Sequence, residues 1–528
     1  MPFILKQKQV CKLILLGTWF SSLQLAGQVM IRSGPVNLYS VGRNAIVEGV
    51  VDRYLSSRFD HEWRQSLSMG RSGLIESDAG DKWLRKERLK WYPEIRVHAS
   101  LNGGDLRTEG AVVDVAPIIT TAAYYRLPFP ARLGLVTWMR FEKHSVVGTE
   151  SLSPFEYDFS SRKEAGRESY HSSDSGWVEY DIGDAGIQLI YPSGEIIFAK
   201  SNPIWGTGYS GQLWFSDKAP SFPLFSLRHW FGDRWLFSFM HGSLNSTFRD
   251  SAYLELHPVK SGLPMIRKYS VAHRLDFFLR QDIRFGFGES VIYGGRGVEM
   301  SYMLPFLFYW SAQHDLSDSD NLQMFLDFEA ISKNKGRLYG SLFLDEWDFI
   351  NTFDKEKSHN WLAYQAGVTA LLPLFQAWMP LLRGEYTYLS PYVYVHRSKI
   401  NAFEHHGYPL GFWSGPNSDS FFFGVEAAPS DKLWFQIYGV ISRRGEVTEE
   451  TVERQYSRER IDFLYRTYSG PPEKKIVMGL RGDLLSSRPI RIRFDFSYQI
   501  WDQHLSLTSQ QRQKSAKMGG TVEVSLGF

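Results

Sequence analysis

Eleven residues, from Ile490 to Ile500, alternate strictly between apolar and polar side chains. The even-numbered positions carry Ile, Phe or Tyr, and the odd-numbered positions carry Arg, Asp, Ser or Gln. Because successive side chains of a β-strand point to opposite faces, the segment predicts a strand with one apolar and one polar face. A tilted strand crosses a bilayer with roughly 9–11 residues. The segment is therefore long enough to span a membrane as a strand.

The last eight residues, Thr521 to Phe528, show the same alternation and stop on an aromatic residue. This ending resembles the closing strand of bacterial outer-membrane β-barrels, which the assembly machinery of that membrane reads. The resemblance implies that Phe528 is an assembly signal. It also implies that the barrel assembly machinery and outer-membrane lipid are partners, and that the protein resides in the outer membrane of a Gram-negative bacterium.

Similar strand patterns recur along the chain between residues 187 and 481. The candidate strands are Ile187–Tyr191, Glu195–Lys200, Leu224–Phe231, Trp235–His241, Val271–Arg280, Phe285–Val291, Met324–Ala330, Leu338–Asp345, Glu385–Leu389, Phe421–Ala427, Leu433–Ser442 and Lys475–Arg481. A soluble sandwich would also have one apolar face, but strand length and the terminal aromatic favour a membrane barrel. We predict an all-β fold, a transmembrane antiparallel β-barrel of about 18 strands.

Composition excludes several other classes of protein. With 59 Lys and Arg against 57 Asp and Glu, the chain lacks the basic excess expected of a nucleic-acid binder. A mean hydropathy of −0.27 argues against a helical membrane protein. The most apolar stretch, Val368 to Leu382, is interrupted by two prolines and predicts a hairpin. The 17 Trp and 27 Tyr suit aromatic girdles at two membrane interfaces, and also suit carbohydrate binding.

The N-terminus has the pattern of an export signal. Lysines precede a mainly apolar stretch from Leu13 to Leu25, and the small pair Ala26-Gly27 follows it. We predict a cleaved signal peptide over residues 1–27, since the apolar stretch is shorter than the roughly 20 residues of a spanning helix. Cys11 is the single cysteine, so a mature chain would contain none. That excludes disulfide frameworks and cysteine-based sites.

The remaining chain divides by composition into two parts. Residues 28–93 include helix-favouring segments of mixed charge, which predict a small, partly helical N-terminal periplasmic segment. Residues 94–528 have the strand and turn pattern of the barrel. Two polar stretches, Ser151 to Asp184 and Ser442 to Lys475, are predicted to be long loops. The second is highly charged and would be either a solvated loop, or a plug or loop that grips a ligand.

Aromatic and basic residues in the presumed loops are the candidate ligand-binding residues. Aromatic rings with polar edges suit sugar rings, and arginines can pair with acidic sugar groups through two N–H bonds. The alternative roles are a membrane girdle for the aromatics and solvated loop for the arginines. The candidates are Trp205, Tyr209, His405, His406, Tyr408, Trp413, Arg443, Arg444, Arg454 and Arg458.

Three motifs fail the tests of the chemistry that they suggest. Gly206–Gly211 spells G-x-G-x-x-G, but its flanks do not predict the strand and helix of a dinucleotide site. His405 and His406 lie beside Gly407 and cannot be one helical turn apart, as a zinc-binding H-E-x-x-H requires. Ser290 lacks the second glycine of a nucleophile elbow. We predict no catalytic residue, no metal and no cofactor.

Several stretches between about residues 186 and 445 together resemble the Wzi-type capsule-assembly family of outer-membrane proteins, including relatives associated with gliding motility. The stretches that carry the resemblance are Ile204–Gly211, Ser216–Pro220, Ala272–Leu275, Glu289–Gly297, Asp320–Asn321, Leu326–Phe328, Leu338–Glu346, Arg383–Thr387, Gly407–Gly411 and Gly415–Asn417. They follow one another in family-like order. The N-terminal region and the strands before residue 186 resemble the family poorly.

The resemblance implies an 18-stranded barrel that acts as a surface lectin, binding capsular or exported polysaccharide without catalysis. A motility or adhesion role is a variant of this hypothesis. A channel is the second hypothesis. Six charged residues fall on the polar faces of their strands and would line a lumen: Arg274, Asp276, Arg280, Arg491, Arg493 and Asp495. A surface hydrolase is the third, and the sequence names no residue for it.

Overall fold

The computed structural model describes eighteen barrel strands and the connections that lie against them. The described residues are 89–104, 110–126, 134–147, 177–191, 193–251, 264–316, 319–346, 360–372, 378, 380–430, 432–447, 469–485, 490–505 and 512–527. The predicted signal peptide, nearly all of the predicted periplasmic segment, and Phe528 lie outside these residues. The predictions made for them stay predictions.

The barrel is one 18-stranded sheet. Its strands are β1 Leu89–Gly104, β2 Gly110–Arg126, β3 Gly134–Val147, β4 Trp177–Tyr191, β5 Gly194–Ser201, β6 Phe222–Phe231, β7 Trp235–Arg249, β8 Met265–Arg280, β9 Ile283–Gly294, β10 Asn321–Ser332, β11 Gly336–Glu346, β12 Trp361–Leu371, β13 Leu381–Leu389, β16 Ser418–Ser430, β17 Leu433–Glu446, β18 Ser469–Leu485, β19 Ile490–Leu505 and β20 Arg512–Gly527. A two-stranded hairpin, β14 Glu404–His405 and β15 Tyr408–Pro409, and a short helix α1, Tyr309–Asp315, lie in the connections.

Antiparallel pairing of successive strands continues around the sheet and closes it. The first and last strands, β1 and β20, pair antiparallel with Val97 opposite Val524. Closure leaves no unpaired sheet edge, as a structure surrounded by hydrocarbon requires. The prediction of an antiparallel barrel of about 18 strands is confirmed. Every candidate strand of the sequence analysis falls within an observed strand, and the predicted hairpin joins β12 to β13.

Several strands continue into polar stretches that the sequence analysis predicted to be loops. β4 begins at Trp177, inside the stretch predicted as a loop, and β17 and β18 continue to Glu446 and back to Ser469. These polar ends pair with neighbouring strands, because backbone hydrogen bonding does not depend on side-chain polarity. Pro471 and Pro472 fall where the β17–β18 register shifts, which suits residues that cannot donate to the ladder. β1 likewise begins at Leu89, five positions before the predicted boundary.

Connections at the two ends of the barrel differ in length. At one end the links are short, such as residues 192–193, 232–234 and 281–282. At the other end they are long, including residues 202–221 and 390–417. Barrels of this kind place short turns in the periplasm and long loops outside the cell, so the long end is taken as external. Among the described residues, no helix is long and apolar enough to cross a membrane.

The lumen contains an apolar core towards its external end. Inward side chains of β6 to β18 pack there against residues 202–221 and 390–417. A ring of ion pairs follows towards the short turns, for example Arg228 with Glu195, and Arg491 with Asp483. Apolar side chains of strands from β6 to β18, including Phe278 and Trp434, pack together at the short-turn end. The inserted connections therefore occupy lumen that the sequence pattern assigned to polar side chains alone.

Candidate functional site

Residues 202–221, here called the inner loop, enter the lumen between β5 and β6. Its glycines allow the loop to fold tightly against the wall. Gly206 has a φ of 141°, which an L side chain rarely adopts. A Cβ on Gly208 would lie 2.0 Å from the Gly211 carbonyl oxygen and 2.2 Å from Gln365 Oε1. The G-x-G-x-x-G letters therefore serve close packing inside a barrel.

Wall side chains hold the inner loop by its backbone. The buried carboxylate of Glu385 accepts hydrogen bonds from the backbone N–H of Tyr209 (2.5 Å) and Ser210 (2.9 Å), and also from the Ser210 hydroxyl. Arg337 Nη2 donates to the Thr207 carbonyl at 2.8 Å. Because side chains of the wall bind peptide groups of the inner loop, they fix the position of the loop in the lumen.

The Tyr209 side chain lies among charged groups of the wall. Its ring packs on Phe422, and the Arg383 guanidinium lies 4.2 Å from the ring centre. Its hydroxyl accepts a bond from Gln436 Nε2 at 2.7 Å and donates to Glu426 at 3.3 Å. Burial and the negative charge of Glu426 raise the pKa of Tyr209, so the hydroxyl stays protonated. These contacts use both the ring face and the hydroxyl.

Residues 390–417 form a second insertion, which packs on the inner loop. The Tyr394 hydroxyl donates to the Leu213 carbonyl and accepts from the Phe412 N–H. Ser216 N donates to the Leu410 carbonyl at 2.7 Å. The insertion contains the β14–β15 hairpin, here called the mouth hairpin (residues 404–409). Gly407 at its tip is exposed.

The mouth hairpin is attached to the upper end of β7 by both histidines. His405 Nδ1 accepts a bond from the Asn245 N–H at 3.0 Å, and His406 Nε2 lies 3.1 Å from Asn245 Nδ2. Phe222 packs edge-on against His405. Burial, together with the neighbouring His406 and Lys268, lowers the pKa of His405 to about 3. His405 is therefore neutral at physiological pH.

The buried histidine predicts acid sensitivity. An unfolded His405 titrates near 6.5 and the folded one near 3, so the unfolded state takes up the proton first as pH falls. The contribution of neutral His405 to the free energy of unfolding is fully present above pH 6.5. It is lost progressively from there towards pH 3, on the order of 3 kcal/mol by pH 4. We expect urea titrations at pH 7 and pH 4 to show this loss. It should shrink in His405→Asn, and an equal loss in both proteins would contradict the assignment.

The structure places the predicted aromatic residues at different depths. Trp205 is 2% exposed and packs edge-on against Trp214 and Phe215. Trp413 is also buried, and its Nε1 has no hydrogen-bond partner within the described part of the chain. Tyr408, in the mouth hairpin, is only partly buried. Tyr408 is thus the aromatic candidate nearest to a ligand arriving from outside.

The adjacent arginines Arg443 and Arg444 lie on opposite faces of β17. They belong to the strand, and the prediction that they lie in a loop was wrong. Arg443 follows the outward, exposed series of Ile437 and Ile441, and pairs with Asp419 through Nε (2.9 Å) and Nη2 (2.5 Å). Arg444 lies at an inward-facing position of β17. Its guanidinium lies near the mouth hairpin, because a Cβ added to Gly415 would be 3.7 Å from Arg444 Nη2 and 3.6 Å from Pro409 Cγ.

Arg454 and Arg458 lie outside the described residues, so their proposed role stays a prediction. Of the other candidates, His405, His406, Tyr408 and Arg444 are brought together at the external mouth. The sequence analysis did not single out Glu385, Arg337 or Gln365, which hold the inner loop. The inward parity of Glu385 in its strand was visible, but the partner 175 positions away was not.

Comparison with known proteins identifies a similar fold among solved structures but no related sequence. No protein-family model and no curated protein sequence matches the chain. The barrel is similar to Wzi of Escherichia coli, described as an outer membrane protein involved in group 1 capsule assembly and a carbohydrate-binding β-barrel. The identity is 13%, the TM-score 0.50, and the alignment covers 97% of this chain and 96% of Wzi.

The chain has the fold of a closed 18-stranded β-barrel, as Wzi does. It is also similar to OccK7 (OpdD) of Pseudomonas aeruginosa, with 10% identity, a TM-score of 0.46 and coverage of 83% of this chain and 99% of OccK7. OccAB4 of Acinetobacter baumannii gives 8% identity, a TM-score of 0.45 and coverage of 84% and 100%. At these identities the likenesses are to the architecture. Membership of the Wzi family stays a prediction.

Proposed function

We propose that this barrel is a surface lectin that binds capsular or exported polysaccharide at its external mouth and has no enzymatic activity. The observation that carries the proposal is the apolar core in the lumen, where the inner loop and residues 390–417 pack between strands of the wall. A lumen occupied in this way suits a fixed binding surface better than wide passage of solutes. The carbohydrate binding described for Wzi supports the same choice.

The mouth hairpin is the proposed contact surface. Tyr408 offers a partly exposed ring with a polar edge, and His406 lies beside it. Such rings stack on sugars, and a polymer presents many repeats to neighbouring copies of the protein. Weak individual sites can therefore retain a long glycan at the cell surface.

Pull-down of the host's own capsular or exported polysaccharide with the purified barrel tests the proposal. We expect Tyr408→Ala to weaken binding about tenfold, the equivalent of 1.4 kcal/mol. Tyr498→Ala, which removes an exposed tyrosine from the outer wall, is the matched control and should bind normally. If the glycan is acidic, binding should also fall as salt concentration rises. Absence of binding by the native barrel would overturn the proposal.

A channel is the second candidate, and one observation favours it. Charged side chains line the inner wall on the arc from β19 to β3, where Arg96 contacts Glu142 and Glu523, and Arg493 pairs with Glu523. The described contacts of the inner loop fall on other strands. Planar-bilayer recordings separate the two functions: steady conductance of the native barrel supports a channel, and silence supports the lectin.

A further inference from the structure

The connection between β9 and β10 contains a segment that lies on the outer wall of the barrel. Residues 298–316, here called the outer strap, include helix α1 and pack over outward-facing side chains of β7, β8 and β9. Tyr302 and Tyr309 of the strap are completely buried against the wall residues Val271, Val291 and Tyr293. The strap is therefore a packed part of the structure.

Hydrogen bonds attach the strap to β9 and to Asp320, the residue that precedes β10. Glu289, an outward residue of β9 that is 2% exposed, accepts bonds from the N–H of Tyr309 (2.8 Å) and Trp310 (3.3 Å). The Tyr302 hydroxyl donates to Asp320 at 2.8 Å. Arg296 pairs with the same carboxylate through both terminal nitrogens, at 2.8 and 2.6 Å. These partners satisfy carboxylates that would otherwise face the surroundings of the barrel.

The opposite face of the strap exposes large apolar side chains. Phe306 is 67% exposed, Phe308 64% and Trp310 57%, and Met300 and Leu304 are also exposed. A protein surface that faces water rarely exposes so many neighbouring apolar side chains. A large contiguous apolar patch therefore marks an interaction site. The strap thus has one face fixed to the barrel and one apolar face directed away from it.

The apolar face continues the lipid-facing belt of the same strands. Phe285 and Phe287 of β9 are exposed on the outer wall, and the next outward residue is Glu289, beneath the strap. From Phe285 to Tyr293 the strand advances about 27 Å, or about 20 Å in height at a tilt of roughly 40°. The apolar band of such barrels is about 25 Å tall. The strap accordingly lies within the height of that band, on its external half.

We propose that the outer strap is embedded in the outer leaflet, where Phe306, Phe308 and Trp310 contact lipid acyl chains. Continuity with the exposed belt below it identifies the occupant as hydrocarbon. Aromatic residues are enriched at this level of membrane barrels. The strap would extend the lipid contact beyond the strands on one side of the barrel. The inference rests on the barrel fold and is independent of polysaccharide binding.

A single-cysteine labelling experiment tests this proposal. Cys11 is the sole cysteine, so Cys11→Ser gives a background without thiols. Phe306→Cys carries an environment-sensitive fluorophore in phospholipid vesicles. Phe287→Cys reports the belt, and Lys333→Cys reports the water-exposed turn between β10 and β11. Quenching is measured with lipids brominated on the acyl chains and, separately, with aqueous iodide.

We expect bromolipids to quench the label at position 306 within about twofold of the label at 287. Iodide should quench it several-fold less than the label at 333. Iodide quenching equal to that at 333 would show a water-facing strap and overturn the proposal. Protection from both quenchers, with thiol cross-linking between copies, would instead identify a second copy as the occupant and overturn it equally. Polysaccharide pull-down with the same unlabelled proteins keeps the two proposals separate.

Discussion

Glu385→Ala is expected to release the inner loop and open the lumen. The carboxylate of Glu385 accepts bonds from Tyr209 N, Ser210 N and the Ser210 hydroxyl, and also from the Tyr339 hydroxyl at 2.6 Å. Removing it leaves two buried peptide N–H groups without their acceptor, at a cost of about 1–3 kcal/mol for each group. The loop should then detach or fluctuate. Planar-bilayer recordings should show conductance several-fold above that of the native barrel.

Glu385→Gln provides a control of the same shape. Its single amide oxygen can replace only part of the acceptor capacity, and its NH₂ group would face the donors Tyr209 N and Ser210 N. We expect an intermediate conductance for this variant. Equal conductance of Glu385→Ala and the native barrel would show that Arg337 and Gln365 hold the inner loop without the carboxylate.

Arg284→Met is expected to destabilise the barrel strongly. Arg284 is completely buried and pairs with Asp276 at 2.6 Å, Asp327 at 2.8 Å and Glu329 at 3.3 Å. Arg274 contacts the two aspartates from the other side. Removal of one cation leaves buried carboxylates that remain charged without a full partner. Breaking a buried pair in this way costs about 3–5 kcal/mol.

The same strand region offers a matched control. Arg280 pairs with Asp282 at 2.9 Å at the short turn, but its side chain is 64% exposed. Solvent screens such a pair, so Arg280→Met should cost less than about 1 kcal/mol. Urea titration in detergent micelles and the gel mobility of unheated samples measure both variants. Similar losses in the two proteins would mean that the buried network contributes no more than a surface pair.

The buried ion pairs of Arg274 and Arg284 also explain why position 286 is a glycine, which the sequence alone did not explain. A Cβ on Gly286 would lie 2.4 Å from Asp327 Oδ1 and 2.6 Å from Arg274 Nη2. The ion pairs pass directly over this backbone position, and a side chain would displace them. Alternation in β8 correctly placed Arg274 and Asp276 on the inward face, yet their partners come from β9 and β10, which only folding brings beside them.

Local sequence determined the strands and the two faces of each strand, because side-chain direction in a strand depends only on position. Ile490–Ile500 and Val271–Arg280 show this most directly, and closure into a barrel follows from the need to pair every backbone group in a membrane. The tertiary structure alone decided what fills the lumen and what covers the outer wall. The inner loop and outer strap depend on contacts between distant segments, such as Ser210 with Glu385 and Tyr302 with the wall of β9, and no periodicity within one segment encodes such contacts.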